Sequence, residues 1–199
     1  MLCLRDTGSV REPSQQLGAD VDAWLRVAAF IDRISRFFAM IAAILVLLSC
    51  LISAGNALSR YAFSISSNAW LEIQWQMFAG IFLLGSAHVL KLNEHVRVDI
   101  IYMGRSPRTK LWIDVFGIIF FLVPVTVMMI WMGEFFFQDS FRVGEMSSSA
   151  GGLPLWPVKA LLPFGFFLLL LQGIAELIKR IAGLQGDVRY QTAYEKPLQ

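Results

Sequence analysis

The chain has little of what catalytic and metal centres are built from. Only 16% of its 199 residues are Asp, Glu, Lys or Arg, against about 25% in an ordinary soluble domain. There are two cysteines and two histidines. Cys3 and Cys50 make neither a CxxC redox pair nor a zinc set, which excludes disulfide exchange and structural zinc. His88 and His95 sit on one short stretch with no histidine opposite them, which argues against a haem clamped between helices. A net charge of +2 is too small to mark a nucleic-acid partner.

The charge is missing in blocks. Positions 37–59, 73–90, 115–133 and 160–175 contain no Asp, Glu, Lys or Arg, and a bilayer-spanning helix needs about 17–25 mostly apolar residues. With 56% of residues hydrophobic, the chain reads as an all-α integral membrane protein with four transmembrane helices. The membrane domain covers 37–181, with spans at about 37–58, 70–90, 111–137 and 153–181. The first run is too long and too far from the start for a secretory signal, so it is expected to stay in the membrane.

Residues 1–19 mix charge, Pro and Gly without period, the composition of a mobile tail. From Asp20, a candidate N-cap, the residues Val21, Trp24, Leu25, Ala28, Ile31, Ile34 and Phe38 recur at helical spacing, with Asp22, Arg26, Arg33 and Arg36 opposite. The 20–36 segment is therefore expected to be an amphipathic interfacial helix, with Trp24, Leu25 and Ile31 in the membrane surface and Arg26 and Arg33 at the headgroups. The alternative is an extension of the first span packed on a partner. Ser106 followed by Pro107 signals the start of the third helix, Pro124 predicts a kink in it, and 182–199 is a polar tail.

Fourteen of the 17 Lys and Arg fall in the leader, the 91–110 connector and the C-terminal segment; Arg60, Arg142 and Lys159 are on the other side. The positive-inside rule then places both termini in the cytoplasm. An ionisable group at mid-bilayer costs about 2.5–3.5 kcal/mol on insertion scales and marks transport sites. None is expected here, because Glu72, Asp114, Glu134 and Glu176 lie near span ends, where they can reach headgroups or water. Paired helix breaks, the other pointer to a midplane substrate site, are absent as well. Both features argue against a carrier acting alone. Gly55, Gly80 and Gly85 are candidate close-approach positions between helices.

Several segments together resemble one family. They are Gly55-Asn56-Ala57-Leu58-Ser59-Arg60-Tyr61-Ala62-Phe63, Trp70 with Glu72, Phe82-Leu83-Leu84-Gly85-Ser86-Ala87, and Glu94-His95-Val96-Arg97-Val98-Asp99. They are similar to the small membrane subunit, DctQ-type, of the tripartite ATP-independent periplasmic (TRAP) transporters. The resemblance covers about 25–182. It implies a non-enzymatic, multi-pass protein of a bacterial inner membrane, without cofactor. Its role would be scaffold to a large TRAP membrane subunit in a sodium-coupled importer of organic acids, with a periplasmic substrate-binding protein delivering substrate. The rivals are a membrane-anchor subunit of an oxidoreductase and a free-standing structural tetraspan protein.

Asn56, Arg60, Tyr61, Trp70, Glu72, His95, Arg97, Asp99 and Arg142 are the candidate family-motif or interface residues. Arg60 and Glu72 flank the outer connector, either as a pair, as partner contacts or as solvated charges. Asn56 either caps exposed carbonyls or bonds across helices. His95, Arg97 and Asp99 either contact the large subunit or anchor the inner boundary. Arg60 and Arg142 are expected on the surface that meets the binding protein.

Overall fold

A computed structural model of the chain describes residues 13–65, 67–92, 104–149 and 151–185. The four apolar segments are four long helices, each able to cross a membrane by length and composition. Helix α1 runs Pro13–Phe63 and α2 Asn68–Leu92. The third crossing consists of α3, Pro107–Gly117, a π-helical turn at Ile118–Leu122, and α4, Val123–Val143; the last helix, α5, is Trp156–Leu184. An isolated bridge between Met146 and Pro154 closes the hairpin joining α4 to α5. Most of the expected N-terminal and C-terminal tails, residues 1–12 and 186–199, lies outside the described residues.

The expected arm and first span are one helix. α1 is continuous for 51 residues, about 76 Å at 1.5 Å per residue, more than twice the ~30 Å of bilayer hydrocarbon. On its N-terminal part, Ala28 and Ile31 are buried against Ala175, Leu171 and Ile178 of α5. That face of the arm is occupied by this chain's own last helix, and Trp24 and Arg33 remain exposed.

Local chemistry sets the breaks. Ser106 caps α3, its hydroxyl accepting from the Thr109 N–H at 3.3 Å, with Pro107 at the first helical position. Gly144 ends α4 in the left-handed conformation at φ 63°, where a side chain would be strained. Pro124 has no N–H and its ring crowds the carbonyl four residues back. The chain answers with the wide turn just before it, in which the Val123 N–H donates to the Ile118 carbonyl. The Thr126 hydroxyl adds bonds to the Leu122 and Val123 carbonyls at 2.8 and 3.0 Å.

α5 is the hub. It packs on α1 and α2 on one side and on α3, the π turn and α4 on the other. Small residues permit this. A Cβ at Gly165 would lie 2.6 Å from Leu83 Cβ of α2, one at Gly173 would lie 2.5 Å from Leu122 Cδ2, and one at Gly133 would lie 3.2 Å from Pro163 Cδ. Of the glycines singled out by sequence, Gly80 meets Leu45 at 3.1 Å, Gly85 has only ordinary contact, and Gly55 faces open space. Gly165→Val is therefore expected to destabilise the chain by about 1–3 kcal/mol through overpacking against the α2 backbone. Gly55→Ala should be neutral or slightly stabilising. Thermal unfolding of the detergent-solubilised protein checks both, and an unshifted midpoint for Gly165→Val would contradict the hub packing.

Candidate functional site

The polar side chains of the bundle gather in two layers. At the end where α1 and α5 project, Asp32 and Ser35 of α1 meet Lys91 of α2, Asp114 of α3, and Gln172, Glu176, Lys179 and Arg180 of α5. Lys179 Nζ donates to both Asp32 oxygens at 2.8 Å and to Glu176 Oε1 at 2.9 Å. Lys91 Nζ stands 3.6 Å from Asp32 Oδ2. Arg180 Nε donates to Asp114 Oδ2 at 3.0 Å, while its Nη1 donates to Glu176 Oε2. Gln172 is fully buried and links the two halves. Its amide nitrogen donates to Asp32 Oδ1 at 2.9 Å and Glu176 Oε1 at 3.2 Å, and its carbonyl oxygen accepts from Ser35 Oγ at 2.6 Å.

Three carboxylates face three cations, so the layer is charge-balanced. Each of the four crossings supplies at least one member. Spacing on α5 explains the gathering: Gln172 and Glu176 are one turn apart, and Lys179 and Arg180 follow on the next, so all four share one side of the helix. The expectation that Asp114 and Glu176 reach headgroups or water is overturned, because both are buried against Arg180. Glu134 is exposed as expected.

The second layer lies at the opposite end. Glu72 is only 2% exposed, which again corrects the expectation of a solvated carboxylate. Its Oε2 accepts from the Leu153 N–H at 3.5 Å, and Oε1 is buried with no hydrogen-bond partner among the described residues. Gly151 lies over it so closely that a Cβ there would stand 2.7 Å from Ala69 Cα and 2.9 Å from Glu72 Oε2. Gln74 donates to the Ser49 carbonyl at 3.2 Å and Gln76 to the Pro154 carbonyl at 3.3 Å. Glu145 of the hairpin pairs with Lys159, whose ammonium also sits 3.9 Å over the Phe136 ring.

Glu72 to Lys91 along α2 spans about 28 Å, and Lys159 to Lys179 along α5 about 30 Å. Both match the thickness of the hydrocarbon core. Among the described residues no cluster of His, Cys, Asp and Glu could hold a metal ion.

The nominated residues are scattered. Asn56 is half-buried on α1, while Arg60 and Tyr61 are exposed, Tyr61 at 92%. Trp70 is half-exposed at the start of α2. Arg60 and Glu72 are not brought together, since Glu72 turns inward under the hairpin. On the arm, Trp24 borders an apolar groove with Ile178, Ile181, Ala182 and Gln185. Leu25 is half-buried, Ile31 is buried, and Arg26 Nε donates to the Asp22 carbonyl at 3.3 Å. Arg142 borders a groove on α4. His95, Arg97 and Asp99 lie outside the described residues. Sequence reading missed Asp32, Ser35 and Gln172 and took Lys91, Lys179 and Arg180 for boundary charges.

The family model for the DctQ component of tripartite ATP-independent periplasmic transporters matches residues 49–183. The chain belongs to the DctQ family. It is thus a multi-pass membrane component of a TRAP transporter and not an enzyme. The matched segment contains the Glu72 layer and every member of the ionic layer except Asp32 and Ser35. No curated protein and no solved structure matches the chain.

Removing one member of a buried ion pair typically costs about 3–5 kcal/mol, whereas replacing both by apolar groups is often neutral. Arg180→Met alone should therefore lower stability strongly, and adding Asp114→Leu should recover much of the loss. A thermal double-mutant cycle in detergent reads the coupling; additive losses would show that the pair is not linked.

The Glu145–Lys159 pair gives a pH signature. The Lys159 ammonium, hydrogen-bonded to Glu145, holds its carboxyl below the usual carboxylate range. With the folded value depressed, the pair's contribution is present above the unfolded value of about 4.3 and is lost as pH falls through the folded one. A spin label at position 148 should become more mobile as pH falls below the unfolded glutamate value. Glu145→Gln should remove that dependence, and an unchanged profile in the variant would discount the pair.

Proposed function

We propose that this DctQ component is the small permease subunit of a sodium-coupled importer of organic acids, and that it acts as a rigid scaffold for the large membrane subunit. The observation that carries this reading is the charge-balanced layer that links all four long helical segments, with α5 supplying most of its members. A layer whose acids and bases are consumed by one another has little to offer a substrate or ion, but it resists deformation. A moving transport subunit needs such a support. The family supports the tripartite setting, in which a periplasmic binding protein delivers the substrate.

The protein sits in the bacterial inner membrane with both termini and the 91–110 connector in the cytoplasm, the orientation that the Lys and Arg distribution favours. The arm of α1 lies at the cytoplasmic face, with Trp24 and Phe30 toward the interface and Arg26, Arg33 and Arg36 toward headgroups. The 59–69 connector, with Arg60 and Tyr61, faces the binding protein; the 93–103 segment, with His95, Arg97 and Asp99, faces the large subunit.

Reconstitution tests the proposal. Liposomes holding this chain alone should show no sodium-driven uptake, and liposomes holding the large subunit and binding protein should need this chain for uptake. Arg60→Glu should slow delivery in a salt-sensitive way while leaving assembly intact. Thiol labelling from outside should reach a cysteine at position 148 and not one at 106. Uptake by this chain alone would overturn the scaffold assignment.

A further inference from the structure

A groove of about 570 Å³ runs along α4, lined by Met129, Met132, Phe135, Phe136 and Leu162, with Gly133 at its floor. Its polar end is formed by Asp139 and Arg142 together with Gln138, whose amide is engaged with Glu134 Oε1 at 2.9 Å. From Met129 to Arg142 the groove covers about 20 Å of helix, slightly more than one leaflet of hydrocarbon, ~15 Å. It thus extends from the hairpin end of the bundle, beside the Glu145–Lys159 pair, to about mid-bilayer.

We infer that this groove binds one phospholipid with a zwitterionic, primary-amine headgroup, phosphatidylethanolamine in chemical class. The inference rests on the bundle spanning a bilayer and not on the identity of the transported solute. An acyl chain fits the Met- and Phe-lined length, and the thioether side chains adapt to its shape. The headgroup is selected by charge. Asp139 and Arg142 are both exposed, and neither makes an ion pair among the described residues.

Their separation by three positions puts the two side chains on neighbouring points of one helix face, with Cβ atoms about 5–6 Å apart. The phosphate and ammonium of an ethanolamine headgroup are joined by a two-carbon bridge of similar reach. Arg142 donates to the phosphate oxygens, for which a guanidinium fork is suited, and Asp139 accepts from the ammonium. An anionic headgroup would satisfy Arg142 and leave Asp139 facing negative charge. A choline headgroup would place methyl groups where Asp139 needs donors.

Native mass spectrometry of the delipidated full chain in detergent, titrated separately with phosphatidylethanolamine, phosphatidylglycerol and phosphatidylcholine, tests this. The unaltered chain should retain one phosphatidylethanolamine in preference to the other two. Arg142→Glu should weaken its retention about tenfold, the scale of one charged hydrogen bond. Asp139→Lys should shift the preference toward phosphatidylglycerol, and Met132→Trp should expel the chain with both charges intact. Equal retention of the three lipids, or retention unaffected by these variants, would overturn the inference. So would a cross-link from a cysteine at 132 to the large subunit in the assembled complex, because a protein helix would then fill the groove. None of these failures bears on whether uptake needs this chain, so the scaffold reading is tested separately.

Discussion

Everything in this bundle is arranged around the difficulty of keeping charge away from water. A carboxylate or ammonium taken into a low-dielectric interior loses several kcal/mol of solvation even after relaxation, and only close, well-bonded partners offset that loss. The layer around Gln172 meets the condition by using equal numbers of acids and bases and by drawing them from different helices. Lys179 alone bonds Asp32 on α1 and Glu176 on its own helix, while Arg180 joins Glu176 to Asp114 on α3. None of α1, α2, α3 and α5 can slide or rotate far without stranding a charge. The network therefore specifies register, whatever its net contribution to stability.

Given that register, the rest of the packing follows. With the Gln172 layer fixed, Leu45 and Leu161 converge on Gly80 between the two polar layers, and Leu168 joins Ala42, Leu84 and Ala87 in an apolar cluster. Lipid tails are as apolar as leucine, so close contact and shape must hold the helices together there. That is where Gly165 and Gly173 admit Leu83 and Leu122 to contact distance. The opposite layer, with Glu72 sealed beneath Gly151 and the two glutamines bonding main-chain carbonyls, closes the other end.

The four long apolar helices were legible because a charge-free apolar run as long as the bilayer is thick is seldom stable in water. So was the Ser106 cap, which depends on adjacent residues alone. The family was legible from motifs clustered around the first two helices. The ionic layer was not, for a definite reason. A charge near a span end satisfies the sequence equally well by snorkelling to water or by turning inward, and which it does depends on the angle it holds relative to helices far away in sequence. Asp114 finds Arg180 across 66 positions and Asp32 finds Lys179 across 147. Of the expected close-approach glycines Gly80 is one, while Gly55 and Gly85 are not and Gly165 was passed over for the same reason, since Gly55 and Gly165 differ only in what faces them. The unbroken α1 had a local signal that could have been read: no glycine or proline interrupts it between Gly18 and Gly55.

A scaffold and a carrier place opposite demands on buried polar groups. A carrier must hold some of them unsatisfied, or satisfied weakly enough that an arriving ion or substrate improves their situation, and it must let helices rearrange around them. Here the charges of the Gln172 layer are paired with one another and the apolar stretches between the two layers carry no Asp, Glu, Lys or Arg, so rearrangement would expose charge without recovering bonds. Such a bundle stores its specificity in register and leaves its remaining chemistry on the surface: the α1 projection, the α4–α5 hairpin and the α4 groove. Partner recognition then has to be sought on those outer features, because the acids and bases of the Gln172 layer are already committed to one another.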